Sequence, residues 1–326
     1  MCSPFLTLSG KQTLMRKQIL LAIVLLFGFY TQAEECLYPE LNGLKGEEIR
    51  TALYNRIKDH TILEYTNLIP RYSGVDLRAN NKVWDMYSNC EFTKTANCNS
   101  YNYDTDVECE CYNREHALPV SWWGSDKTEP MYTDLHHVIP TDNATNSQRS
   151  AWPLGVVNTV EWTNGMSKLG YGTFGTSGNN KTFEPADEYK GDFARIYFYM
   201  ATCYKDKNFT AGGKGYKVFN SGTANFTSTA LNLYLKWHRN DPVSQKEIDR
   251  NNGVAKKQGN RNPFVDAPEL VEYIWGNKKT SVYNCGAEGI EDVEVESHAA
   301  TKILMDGHIY IIREDKIYTI QGARVR

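Results

Sequence analysis

Four of the eight cysteines, Cys90, Cys98, Cys109 and Cys111, fall within residues 90–111, a stretch otherwise rich in Asn, Thr and Asp. What such a stretch can fold into depends on whether those thiols are oxidised, and the N-terminus speaks to that. Arg16-Lys17 precede an apolar run, residues 19–30, and Thr31-Gln32-Ala33 then resembles a small-residue cleavage site before Glu34. The run is short for a membrane span, so it reads as a secretory signal removed near Ala33 rather than as an anchor. Met15 is an alternative start, and no cysteine follows the cleavage position as in a lipoprotein. Export favours disulfides. On a strand Cys109 and Cys111 would share a face, so each should pair with Cys90 or Cys98, in either order. Cys36 and Cys285 bracket the middle of the chain and could join its ends. Cys203, in an apolar helical stretch, is expected to stay free. A zinc site built from these cysteines is the weaker alternative, because paired C-x-x-C motifs are absent.

Between these anchors the chain alternates amphipathic stretches with polar loops. Ile49, Ala52, Leu53 and Ile57 repeat at helical spacing within residues 44–60, and His60 closes that helix where the dipole favours a cation. Residues 83–88 alternate like a short strand, and residues 91–110 read as a stapled loop. Residues 112–117 and 134–139 should be extended, ending at Pro119 and Pro140. Residues 143–150 either open a helix or stay a loop. Five glycines within residues 165–181 suggest a loop or loose hairpin. A turn at Glu184-Pro185-Ala186-Asp187 leads into a helix lined by Phe193, Ile196, Tyr197, Met200 and Tyr204, a packing stripe. Residues 206–227 read as loop. Ala230, Leu231, Tyr234, Leu235 and His238 form another helical stripe, broken at Asp241-Pro242. Ser244 with Glu247 makes a capping box for a further helix. That helix carries Lys246, Arg250, Lys256 and Lys257, with Arg261 beyond it: either a face for phosphates or an ordinary solvated face. Asp266 should cap a last short helix ending near Trp275.

Composition then shifts. Residues 287–299 form an acidic linker. Residues 300–326 alternate as strands, with Asp306-Gly307 and Glu314-Asp315 as turn signals. The expected organisation is a signal at 1–33, a main domain at 34–286, the linker, and a small β module. Mean hydropathy of −0.54 fits a soluble globular protein, and 21 tyrosines supply core or stacking surfaces. The net charge of −3 argues against bulk electrostatic attraction to a polyanion, so any such binding must come from a local patch.

The chemistry concentrates in residues 113–155. They hold His116, His136 and His137 of the seven histidines, with Glu115, Arg114, Arg149, Asn143 and Asn146. This inventory suits metal-assisted hydrolysis. Cleaving a phosphodiester needs an activated water and neutralised charge on the phosphate. A neutral histidine, with a reference pKa of about 6.5, can take the water's proton. A hard cation wants oxygen ligands. His116 is the candidate base, and Glu115 and Asn146 are the candidate ligands. One objection stands: neighbours on a strand point to opposite faces, so Glu115 and His116 can share a site only where the strand ends or twists.

The order Arg114-Glu115-His116, Pro119, Asp134-Leu135-His136-His137, Pro140, Asn146 and Arg149-Ser150 resembles the central signature of the bacterial endonuclease I family, secreted non-specific nucleases of the His-Me finger (ββα-metal) class. Phe183-Glu184-Pro185 with Lys190-Gly191-Asp192, Trp237-His238 with Asp241-Pro242-Val243, and the stretch from Gln258 to Asp266 resemble it too. The resemblance spans about residues 45–280. It implies an α+β fold: a His-Me finger core embedded in a mixed helical and short-strand domain, with the C-terminal β module added. It implies His116 as general base and Glu115 and Asn146 on Mg²⁺, or Mn²⁺ or Ca²⁺. Some members use an arginine in the spacer to steady the cleaved phosphate. Here the spacer offers only Lys127, so Arg149 or Lys127 is expected to substitute. Arg114, Asp134, His136 and His137 are expected to support these groups from behind. DNA, and RNA as a second choice, is the implied substrate, and a monomer is expected. The tail resembles a type IX secretion sorting domain, which implies the secretion machinery as a partner and a periplasmic or extracellular destination. Two rival functions remain: a zinc hydrolase using His116, His136 and His137, and a non-catalytic nucleic-acid binder using the 246–261 stretch.

Overall fold

The computed structural model describes residues 36–99, 104, 106–285, 301–305, 308–313 and 316–319. The expected signal, the acidic linker and both C-terminal turn signals lie outside the described residues. The chain divides into two units, Leu37–Asn284 and a second comprising Met1–Cys36 with Cys285–Arg326.

In the larger unit, helix α1 (Glu47–Ile57) buries Ile49, Leu53 and Ile57 as its spacing requires. It also buries Arg50, whose guanidinium donates to Asn225 Oδ1 and to the Ala201 carbonyl, both at 2.6 Å. A short helix α2 (Leu68–Tyr72) follows. Residues 83–88 do not form the expected strand. Val83 alone makes isolated bridges, to Leu77 and Phe92. The reason is Asp85, fully buried, whose carboxylate accepts from Tyr87 N, Ser88 Oγ, Thr141 Oγ1 and Asp142 N. A buried carboxylate must be satisfied, and folding the backbone around it wins over extending it.

Strands β1 (Tyr112–His116) and β2 (Val138–Asp142) pair antiparallel, with Arg114 opposite Pro140 and His116 opposite Val138. The second extended piece thus starts later than expected and runs through Pro140. A two-stranded ribbon has a free edge at which a missing N–H costs nothing. Helix α3 (Asn143–Arg149) follows, its first turn capped by Asp142, which accepts from Thr145 N at 2.7 Å. Behind the ribbon lies a core of Leu68, Tyr72, Phe92, Tyr112, Leu135, Val138 and Val254.

Strands β3 (Val157–Thr163), β4 (Lys168–Gly172) and β5 (Lys181–Glu184) form an antiparallel meander. Of the five glycines that suggest a loop or loose hairpin, Gly170 and Gly172 are strand residues of β4 and the others lie in the connections, so the hairpin alternative holds. A Cβ on Gly170 or Gly172 would run into the backbone carbonyl of Thr159 or Val156, so the close approach of β3 requires glycine.

Helix α4 (Lys190–Cys203) is buried from Gly191 onward and is the central rod of the unit. Helix α5 (Ser228–Asn240) packs on it, and α6 (Gln245–Gln258) opens with the expected capping box. Asp266 does not cap the last helix. It ends α7 (Pro263–Asp266), whose cap is Asn262, and binds Arg261, Asn251 and Tyr38; α8 (Leu270–Ile274) follows. Disulfides join Cys90 to Cys109, Cys98 to Cys111 and Cys36 to Cys285; Cys203 is free and buried. In the second unit β6 (Thr301–Met305), β7 (His308–Arg313) and β8 (Lys316–Thr319) form an antiparallel three-stranded sheet. The fold is α+β.

Candidate active site

The ribbon β1–β2 and helix α3 form a compact ββα unit, and the candidate groups sit on it. His116 is the last residue of β1, so the ladder ends where the objection to its sharing a site with Glu115 applied. His116 is 8% exposed, with Tyr132, Trp123 and His137 around its ring. Nε2 lies 2.9 Å from the Tyr132 carbonyl oxygen. A carbonyl only accepts, so Nε2 carries the hydrogen and Nδ1 of the neutral ring keeps the lone pair. Burial, then the neighbouring imidazole of His137, hold the His116 pKa down at about 3. The ring is therefore neutral at physiological pH, and an anionic phosphate arriving beside it would raise its basicity.

Glu115 is 4% exposed. Burial pushes its pKa up to about 7, against the pull of Arg149, the Tyr87 hydroxyl and the His116 N–H. Arg149 Nε is 3.1 Å from Glu115 Oε1, yet that N–H is not aimed at the oxygen and makes no hydrogen bond, so the contact is coulombic. Tyr87 donates to the same oxygen at 3.4 Å. Asn146, half-buried on α3, donates from Nδ2 to the Arg114 carbonyl at 3.5 Å; among the described residues no hydrogen bond takes up its Oδ1.

Arg149 departs from expectation. It is fully buried, donates to the carbonyls of Ala117 at 2.5 Å and Ser150 at 2.8 Å, and faces Glu115. A guanidinium committed this way braces the ββα unit and has no freedom to meet a phosphate. Lys127 is exposed, with Nζ 5.9 Å from the centroid of the Tyr132 ring that lies against His116. Arg114 lies over Tyr65, 4.1 Å from its centroid, and donates to the Tyr65 carbonyl.

His136 and His137 are buried and neutral, each held down at about 4 chiefly by burial. His136 Nε2 meets the Asn260 carbonyl at 3.3 Å and His137 Nε2 the Met131 carbonyl at 2.6 Å. With His116 this makes three imidazoles whose Nε2 is spent on a backbone carbonyl, and among the described residues the three do not gather as a metal-ligand cluster. A different trio does gather: His60, Asp134 and Cys203 bring ligand-type atoms within 4.8 Å of one another. Asp134 is nevertheless already saturated, accepting from the hydroxyls of Tyr199 and Tyr204, the amide of Gln258 and the N–H of His136. His60 Nε2 meets the Tyr204 hydroxyl at 2.9 Å, and burial pushes the Cys203 thiol up. The trio is a buried hydrogen-bond knot fixing the segment ahead of β2.

The basic stretch at 246–261 does not form one phosphate-facing surface. Lys246 is paired with Asp192 at 2.7 Å. Arg250 is buried against Asp76 and the Leu135 and His136 carbonyls. Arg261 makes a two-pronged pair with Asp266. Their charges are used inside the fold. Lys256 is exposed and Lys257 half-buried, and neither has an ion pair among the described residues. The residues that sequence reasoning passed over are Tyr65, Tyr87, Trp123 and Tyr132. Only the placement of Trp123 and Tyr132 between the two halves of the signature hinted at a role.

The family model described as Endonuclease I matches residues 45–269. The chain is 32% identical over 249 residues to an extracellular ribonuclease of Bacillus amyloliquefaciens, covering 74% of this chain and 78% of that protein. It is 27% identical over 191 residues to Endonuclease-1 of Buchnera aphidicola, covering 51% and 67%. It is 24% identical over 143 residues to an extracellular deoxyribonuclease of Aeromonas hydrophila, covering 44% and 52%.

Proposed function

Since the chain belongs to the endonuclease I family, and is an endonuclease, we propose that it is a secreted, divalent-metal-dependent enzyme cutting DNA, and RNA as well, with little regard for sequence. The observation that carries the mechanism is the Tyr132 carbonyl on His116 Nε2, which leaves Nδ1 as the free base. Nδ1 takes a proton from the attacking water, the new P–O bond forms, and the opposite P–O bond breaks, its oxygen leaving with a proton from solvent. Glu115 and Asn146 suit a hard cation. The first is a carboxylate whose burial disfavours its charge unless a further cation is near, and the second has an uncommitted amide oxygen. Bound there, Mg²⁺, or Mn²⁺ or Ca²⁺, supplies neutralisation of phosphate charge. Arg149 fixes the Glu115 carboxylate, and Arg114 and Lys127 supply positive charge around the rings beside His116.

Export is supported by the disulfides and by relatives named as extracellular. Residues 300–326 are proposed as the sorting signal read by the secretion machinery. The test of the catalytic reading is supercoiled plasmid with Mg²⁺, with EDTA, and with His116→Ala. Nicking that EDTA stops and that the variant loses by roughly 10²–10⁴-fold is expected. Cleavage by the variant at the wild-type rate would remove His116 from the role of base.

A further inference from the structure

Tyr132 does more than hold His116 by its carbonyl. Its ring is nearly parallel to that of His116, with centroids 5.2 Å apart and planes 16° apart. It is also nearly parallel to Tyr65, at 4.6 Å and 17°. Tyr65 and His116 are 6.3 Å apart at 14°. Rings in face contact are spaced about 3.5 Å plane to plane, so two rings on opposite faces of Tyr132 would be at least about 7 Å apart. The observed separation is shorter. Tyr65 and His116 therefore lie side by side beneath one face of Tyr132, and its other face is turned away from both. Tyr132 is half-buried, and the exposed ammonium of Lys127 is the cation near its ring. Tyr65 carries a closer cation, the Arg114 guanidinium over its ring at 4.1 Å, against 5.9 Å for Lys127 over Tyr132.

We propose that the second face of Tyr132 is a stacking subsite for an unpaired nucleobase of the strand being cut, with Lys127 drawing in the adjoining phosphate. The proposal rests on the nuclease reading of His116, because the platform matters for being the ring next to the base. Stacking suits an enzyme indifferent to sequence, as every nucleobase has a π-face. It also needs no 2′-hydroxyl, so DNA and RNA would both be held. A base inside an intact duplex has both faces covered by its neighbours. The subsite therefore selects single strands and locally opened duplex over intact duplex.

The test needs no turnover. In EDTA, the full-length secreted protein is titrated with labelled oligothymidylate and with an abasic oligomer of the same length and charge. The expected outcome is binding of the base-bearing strand roughly 5- to 100-fold tighter. Tyr132→Leu should erase that ratio, and Tyr132→Phe and Tyr132→Trp should keep it. If the leucine variant fails to fold, Tyr132→Trp reports alone: oligothymidylate, and not the abasic strand, should quench its emission beyond the quenching seen in the wild type. Equal affinities for the two strands in the wild type, a ratio that survives in Tyr132→Leu, or no added quenching in Tyr132→Trp would overturn the subsite. Base-dependent binding without Mg²⁺-dependent cleavage would instead overturn the nuclease mechanism and leave the platform standing.

Discussion

Arg149 shows how burial reassigns a side chain. In the sequence it is a basic residue one turn past a candidate metal ligand, which suits a phosphate contact. In the fold its guanidinium is enclosed between the Ala117 and Ser150 carbonyls and the Glu115 carboxylate. Removing one partner of a buried ion pair costs about 3–5 kcal/mol, because the other charge is left without compensation. Arg149→Met should therefore lower stability by that order in urea unfolding. A loss confined to KM, with stability intact, would instead return Arg149 to the substrate. Glu115, His116 and Asn146 were legible as candidates because their residue types and order suit the chemistry proposed for them. Tyr132 was not, because its contribution lies in a backbone carbonyl and a ring stack, and no residue type announces either.

At the scale of elements, the two short extended pieces could be read from their pattern, residues 143–150 were open between helix and loop, and the ββα arrangement followed only from the family resemblance. What the pattern hid was set by single residues acting on the backbone. Asp85 draws the chain around its buried carboxylate and cancels a strand. Gly170 and Gly172 look like loop residues yet let β3 lie against β4. Gly170→Ala should force β3 away from β4 and cost about 1–3 kcal/mol. Urea unfolding checks this, and a change below about 0.5 kcal/mol would mean that the strands separate without penalty. The basic helix α6 shows the reverse error: its cations are at the right spacing for a surface, but Lys246 and Arg250 face acids supplied by distant segments, Asp192 and Asp76, which sequence spacing does not reveal.

For the whole molecule, the buried histidines set how it meets acid. His136, His137 and His238 are each held at about 4, chiefly by burial, against a reference near 6.5. Between those values the unfolded chain takes up protons that the folded chain refuses, so stability falls as pH drops from about 6.5 towards 4. Each group contributes a slope of about 1.4 kcal/mol per pH unit. Glu247, raised to about 7 by burial, slopes the other way, so the informative quantity is the difference between variant and wild type. His238 faces Arg195, Arg239 and Glu272; His238→Gln should flatten the acid slope by about one histidine's worth, and an unchanged slope would show that His238 is protonated in the fold.

The bond between Cys36 and Cys285 has a topological meaning. It closes a covalent ring whose perimeter is the entire larger unit, with 249 positions separating its ends. A protease that cuts once inside that ring opens it without severing any piece from the chain, whereas one cut between Cys285 and the C-terminal strands leaves those strands with no covalent bond to the ring. The enzyme and its tail therefore differ in what a single scission does to them: the tail is detachable by construction, and the nuclease is not.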